Sequence, residues 1–372
     1  MYLAIVRTAN GPLDTNGYNI QEIGLATGLL KLGYNVDIYS TFKDITDEKI
    51  IVTLKDFRIK LIPIKGFALK QVTYYQGLTK FILSQNYQVL QIHDDSQLMG
   101  PFIAAQAKKH GLKTVLYQGM YTNYSGLGKI YQTLFDWFLK RKLQKNIDVI
   151  FAKTTKAKEY LENKGFTDIT ILPVGLDFKK QNPYIDQAQL DSFTTKFETT
   201  FLYIGKLEPR RDLTFVINVF RELIHSKNKN LGFVIVGKGP DEFKLRELVS
   251  TYNLKDRVLF IEQIANNEIA HVYKSCDLFI LPSNYEIYGM VVLEALYYGI
   301  PVVSTKTAGP LDILKEDYLG CLLDFNTQTW LTSLTALVAS NLLTEEYALQ
   351  RKQYVVNNYS WDIIAKSYIK EL

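Results

Sequence analysis

Cysteine is scarce in this chain, and that scarcity excludes several functions. Cys276 and Cys321 are the two cysteines in 372 residues, too few and too far apart for a metal-binding or redox motif. Both read as core thiols in a reducing, cytoplasmic setting. Long apolar runs are also missing: no stretch approaches about 18 uninterrupted apolar residues, so no membrane span is expected. The opening MYLAIVRTANGP enters a short strand and a Gly-Pro turn, without the basic region, apolar run and cleavage site of a signal peptide. No low-complexity segment or short-period repeat occurs. The lysines are scattered, with no recognition motif or basic-aromatic platform, which argues against nucleic acid as a partner.

What remains is an ordinary globular composition, 47% hydrophobic and 22% charged. The length is large for one core and predicts two domains. Charge is unevenly shared behind the net +5: residues 1–178 hold 22 Lys+Arg against 15 Asp+Glu, and the rest hold 21 against 23. A basic first half suits an anionic partner, either a membrane surface or a phosphorylated acceptor.

Apolar runs and turn residues alternate in two series. In the first, strands are expected at 2–6, 35–39, 89–92, 114–117, 149–152 and 169–172, with helices such as 20–32 and 100–109 between them. This α/β alternation predicts a doubly wound parallel sheet. A polar stretch at 179–199 reads as a linker. The second series places strands at 200–204, 233–236, 258–261, 277–281 and 301–304, with helices starting near Asp212, Asp241, Asn267 and Met290. Late in the chain a helix is expected from Glu345, and Ser360 reads as the N-cap of a last helix behind which Trp361 packs. The segment 129–145, IYQTLFDWFLKRKLQK with its preceding lysine, carries an aromatic face and Lys140, Arg141, Lys142 and Lys145 at its end. Two readings stay open: aromatics filling the core with cations at a helix C-terminus, which is preferred, or a peripheral contact with an anionic membrane.

The most informative stretch is PSNYEIYGMVVLEALYYGIPVVS, residues 282–304. Glu286 falls just past a predicted strand, and Gly289 opens a helix carrying Glu294. That helix should stop at Gly299, two residues before Pro301. In open α/β sheets ligands bind beyond the strand C-termini, where helix N-termini attract anions. A phosphate is therefore expected near Tyr288, Gly289, Met290 and Val291, with Glu286 and Glu294 accepting hydrogen bonds from hydroxyls on either side. A nucleotide sugar has this order of groups. After the strand at 200–204, Gly205 allows close backbone approach, and Lys206 and Arg211 can converge on one diphosphate. Arg210 is the weaker candidate of the adjacent pair.

The Pro-Ser, Gly289, Glu-Ala and Gly-Ile-Pro-Val-Val elements together resemble the donor-site signature of the retaining glycosyltransferases of family 4. The resemblance is strongest over 200–325 and weaker but continuous over 1–178. It implies the GT-B architecture: a first, acceptor-side Rossmann-like domain (1–178), a linker (179–199), a nucleotide-sugar-binding domain (200–358), and a C-terminal helix (359–372) crossing back to the first domain. It also implies a cleft between the domains and transfer with retention of anomeric configuration. Relatives usually have Gly-Arg-Leu followed by Lys-Gly; here Lys206 and Arg211 exchange the two cation types, which are not equivalent. These cations would stabilise the departing diphosphate without a metal or other cofactor. Glu286 would face the transferred sugar, as an orienting group or as a covalent nucleophile, and Glu294 the ribose.

In the first domain, Gly17 matches the family's glycine-rich loop, and His93 ends a strand that resembles the family's His-Asp strand. Gln118 stands where most relatives have histidine; it can bind a hydroxyl but cannot carry a proton. Base recognition is expected at the Glu262-Gln263-Ile264 loop, with Ile264 contributing through its backbone. The expected activity is transfer from a UDP- or GDP-sugar to a glycan, glycolipid or other surface-polymer acceptor. A non-catalytic GT-B subunit that stabilises a partner transferase is the alternative.

Overall fold

The computed structural model describes residues 1–7, 12–15, 20–69, 72–178, 187–227, 230–265 and 268–372. Its elements fall into two units, Met1–Asp177 with Tyr359–Leu372, and Phe178–Asn358.

In the first unit the strands are β1 (Tyr2–Val6), β2 (Asn35–Ser40), β3 (Lys49–Leu54), β4 (Phe57–Pro63), β5 (Gly66–Leu69), β6 (Val72–Tyr75), β7 (Val89–His93), β8 (Lys113–Gln118), β9 (Val149–Ala152) and β10 (Ile169–Ile171). Its helices are α1 (Gln21–Lys31), α2 (Leu78–Leu83), α3 (Gly100–Lys109), α4 (Leu127–Phe138), α5 (Lys140–Lys145) and α6 (Thr155–Asn163). Eight strands form one sheet in the order β10-β9-β8-β7-β1-β2-β4-β3. All pairs are parallel except the β3/β4 hairpin at the edge. Residues such as Leu3, Ile5, Val36, Ile38, Val115 and Leu116 have no exposed surface, as expected of central strands covered on both faces.

The second unit holds α7 (Gln187–Thr194), β11 (Thr199–Ile204), α8 (Leu213–Lys227), β12 (Leu231–Val236), α9 (Glu242–Thr251), β13 (Val258–Ile261), α10 (Ile269–Lys274), β14 (Leu278–Leu281), α11 (Met290–Tyr297), β15 (Val302–Thr305), α12 (Ala308–Ile313), β16 (Gly320–Leu323), α13 (Thr327–Val338) and most of α14 (Glu345–Tyr359). Its sheet is wholly parallel, in the order β13-β12-β11-β14-β15-β16. The last helix, α15 (Trp361–Lys370), belongs to the first unit.

Several sequence expectations need correction. Residues 187–194, read as linker, form α7, because Leu190 and Phe193 bury themselves despite the polar composition around them. The single helix expected at 129–145 is two, separated at Leu139. Within α4 the buried stripe is Gly128, Gln132 and Phe135, so Trp137 and Phe138 stay outside the core they were expected to fill. Ser360 sits at the N-cap position of α15, but its side chain makes no capping bond; its backbone forms a bridge with Leu176 instead. Cys276 is buried, whereas Cys321 on β16 is only partly so.

The return of α15 to the first sheet rests on small residues. Gly24 and Gly28 are one helical turn apart on α1, and a Cβ on either would lie 2.1 Å from the Trp361 ring or 2.4 Å from its carbonyl oxygen. Gly175 receives the same indole from another side. Trp361→Ala is expected to destabilise the protein by about 3–5 kcal/mol, the usual cost of emptying a buried aromatic site. Denaturant unfolding measures this directly, and an unchanged midpoint would refute the packing role.

Candidate functional site

The strand order of the second sheet reverses at β11, which has β12 on one side and β14 on the other. The loops after β11 and β14 therefore diverge, and the crevice between them is where an α/β sheet binds its ligand. The first loop is 205–212 and the second 282–289, which include Lys206, Arg211 and Glu286.

These two loops are tied together by polar contacts. The Asn284 N–H donates to the Arg210 carbonyl at 2.8 Å, and Arg210 Nη1 donates to the Tyr285 carbonyl at 2.8 Å. Arg211 Nη1 donates to Ser283 Oγ at 2.8 Å and pairs with Glu286 Oε2. The side chains of Arg211 and Glu286 are 12% and 13% exposed, so the pair is shielded yet within reach of solvent. Tyr203, fully buried on β11, donates its hydroxyl to the Lys206 carbonyl at 2.9 Å. Burial raises the Tyr203 pKa, with Arg211 opposing and Glu286 adding to the shift, so the phenol stays protonated and remains a donor. Lys206 itself extends into solvent, 3.5 Å from Glu208.

Gly289 opens α11 at φ 78°, a left-handed conformation that favours glycine, and no side chain caps that helix end. Met290 and Val291 form the first turn. Glu294 lies one turn further in, is buried, and accepts a hydrogen bond from the Tyr273 hydroxyl at 2.8 Å. Tyr288 turns its ring into the core, so its side chain is packing. Gly205 opens the loop after β11, where its N–H donates to the Val236 carbonyl. Ile264 follows β13 and is almost buried, beside Glu262, which pairs with Lys238 at 2.6 Å.

The first sheet reverses at β1, between β2 and β7. Here His93 is buried and meets two residues that the sequence reading missed. Its Nδ1 is 3.8 Å from Glu22 Oε1 on α1, and Arg7 Nε just after β1 is 3.6 Å from the same oxygen. Lys153, just after β9, adds a partly buried positive charge. Burial opposes the charge on Glu22, but the cations beside it, Arg7 and Lys153, outweigh it and hold this carboxyl below its ordinary pKa. Burial pushes His93 the other way, down to about 4, so its ring is neutral near pH 7. The Gln91 amide nitrogen lies 3.0 Å from His93 Nε2, which fits a ring with its proton on Nδ1, facing Glu22. The signal available in the sequence was position: Arg7 and Lys153 each directly follow a strand.

Gln118 does not present a free amide. It has no exposed surface, accepts from the Asp95 N–H at 2.8 Å, and donates to the Met120 carbonyl at 2.8 Å. With both ends used to join the loops after β7 and β8, it cannot reach a sugar hydroxyl as expected. Asp94 reinforces the same join by accepting from the Gly119 N–H at 2.8 Å. Gly17 lies outside the described residues. Among the described residues no three His, Cys, Asp or Glu side chains are grouped to hold a metal ion.

Two wholly or largely parallel units, each with polar residues gathered where its strand order reverses, fit the GT-B class of fold. Family models agree: residues 16–180 match Glycosyltransferase Family 4 and residues 188–357 match Glycosyl transferases group 1. The chain belongs to this glycosyltransferase family. The alpha-monoglucosyldiacylglycerol synthase of Streptococcus pneumoniae is 25% identical, over 94% of this chain and 87% of that protein. Among solved structures, the sucrose-phosphate synthase of Thermosynechococcus elongatus superposes with a TM-score of 0.72 at 17% identity, covering 99% of this chain and 97% of its own. HepE of Anabaena, solved with UDP and glucose, gives 0.68 at 14% identity, covering 100% and 98%.

His93 makes stability depend on pH in a definite direction. Its folded pKa is about 4 and its unfolded value about 6.5, so the unfolded chain binds the extra proton between those values. Stability is therefore expected to fall by up to about 3 kcal/mol as pH drops through this window, with no contribution from His93 above it. In His93→Gln that part of the slope should disappear, which denaturant titrations across the window measure.

Proposed function

We propose that this glycosyltransferase takes its sugar from a nucleotide-diphosphate donor and retains the anomeric configuration. The observation that carries the reading is the shielded Arg211–Glu286 pair at the strand-order reversal, beside the uncapped start of α11. As the bond from the anomeric carbon to phosphate breaks, negative charge collects on the departing diphosphate. Arg211 and Lys206 supply cations for that charge, and the N-terminus of α11 supplies backbone donors, so the chemistry needs no metal cofactor. The diphosphate competes with Glu286 for the Arg211 guanidinium. Released from that pair, Glu286 turns to hydroxyls of the transferred sugar, while Glu294, held by Tyr273, receives the ribose hydroxyls. A phosphate oxygen accepts the proton of the attacking acceptor hydroxyl on the same face.

The HepE structure, solved with UDP and glucose, supports the donor class. The streptococcal relative is named for its product, a glucosylated diacylglycerol, which supports glycolipid assembly as the setting of the acceptor. The base of the nucleotide rests against the loop holding Ile264.

A thermal-shift screen of UDP- and GDP-sugars tests the donor reading. A true donor at about 100 times its dissociation constant should stabilise the fold by about 2.7 kcal/mol. Glu294→Ala should lose most of that shift, while Glu286→Ala should keep the shift and lose about a hundredfold or more in turnover. Unchanged turnover in the Glu286 variant would remove that residue from the mechanism, and the absence of a shift with every donor would sink the proposal.

A further inference from the structure

Helix α4 has two apolar stripes, although its packing uses only one. The inward stripe is Gly128, Gln132 and Phe135. Its polar needs are met, since the Gln132 amide donates to Tyr160 Oη at 2.6 Å and accepts from the Tyr124 N–H at 2.7 Å. Leu127, Ile130, Leu134, Trp137 and Phe138 follow at i, i+3, i+7, i+10 and i+11, which sets them along one other side of the helix. These five are between 49% and 75% exposed, and Trp137 is the most exposed. The Trp137 and Phe138 ring centroids are 4.8 Å apart, forming one aromatic end.

Helix α5 follows at once with Lys140, Arg141, Lys142 and Lys145 around the buried Leu143. The two acids nearest in sequence are occupied: Asp136 pairs with Lys164 at 2.8 Å and Asp148 with Lys108 at 2.8 Å. Among the described residues none of the four cations of α5 has a carboxylate in ion-pair range. Lys142 Nζ lies 4.1 Å from the ring centroid of Phe102, which brings another partly exposed aromatic side chain from α3 beside the basic helix.

We propose that α4 and α5 form a docking surface for an anionic phospholipid bilayer, with the α4 stripe at the headgroup–acyl boundary and the α5 cations on lipid phosphates. Aromatic residues bordered by cations are the composition that such an interface favours. Charge complementarity selects this occupant over a second copy of the chain, because a two-fold contact through this patch would bring two sets of uncompensated cations together. Helix α4 has 12 residues, about 18 Å of length. It therefore lies in the surface, and among the described residues no helix is long and apolar enough to cross a membrane.

Tryptophan fluorescence reads the contact directly. The other two tryptophans, Trp330 and Trp361, are buried, so a change on adding vesicles reports Trp137. Vesicles of phosphatidylcholine containing phosphatidylglycerol should shift the emission to the blue and carry the protein in flotation, with salt reversing both. Vesicles of phosphatidylcholine alone should do neither. The double variant Trp137→Ser/Phe138→Ser should no longer float, while Lys140→Gln/Arg141→Gln should lower partition about fivefold per cation removed. All four side chains lie outside the core, so the far-UV spectrum and unfolding midpoint should match the parent. Equal partition of parent and variants, or no partition into anionic vesicles, overturns the proposal. A concentration-dependent dimer that Trp137→Ser dissociates, without vesicle binding, assigns the patch to self-association instead.

Discussion

A parallel sheet covered on both faces leaves a protein little room for polar chemistry, and each unit of this chain is built around that constraint. The central strands are mostly apolar, their backbone groups are spent on one another, and helices close both sides. Polar side chains can serve a ligand where adjacent connections leave in opposite directions, at β11/β14 in one unit and β1/β7 in the other. Arg211, Glu286 and Ser283 gather at the first reversal, and Arg7, Glu22 and His93 at the second. The placement follows from topology before any residue is chosen for its chemistry.

Charge at these positions is costly, which explains why it is paired. Removing one member of a shielded ion pair leaves the other charged and desolvated, at a cost of about 3–5 kcal/mol, although the intact pair contributes little net stability. Arg211 and Glu286 are thus held in contact mainly by the lack of better partners. Under the proposed mechanism a diphosphate takes the guanidinium, and a sugar hydroxyl satisfies the carboxylate in return. Under the proposed mechanism the same pair ties the two loops together and gives way to the donor, a role that a hydrophobic contact of equal size could not perform.

Both alternations were legible in the sequence because apolar runs, glycine and proline mark them locally. The segment from β14 to β15 was clearest, with Gly289 at the start of its helix and Gly299 and Pro301 at the stop. The β3/β4 hairpin was not seen. Its turn runs through Lys55, at φ 54°, and Asp56 instead of an Asn-Gly signal, and Ile50, Val52 and Leu54 alternate on an edge strand without being buried. Glu22 was equally hidden. Its partners come from the ends of β1, β7 and β9, and nothing near residue 22 reveals that a carboxylate there meets three basic groups. The spacing in α4 showed that apolar side chains lined the helix, but not which side would turn inward.

Gln118 shows how an expected binding residue can become structural. A side-chain amide offers a donor and an acceptor at once and keeps both at every pH, so it can hold the Asp95 N–H and the Met120 carbonyl together without an ionisable group. A histidine in that place would have to hold one tautomer to make both bonds and would lose its acceptor on protonation. With glutamine fixed there, its own two bonds across the β7 and β8 loops do not depend on pH. The neighbouring strand end carries His93, whose neutral ring is set by burial and turned by Gln91 and Glu22. That ring lies beside the reversal at β1, where the first strand series changes direction.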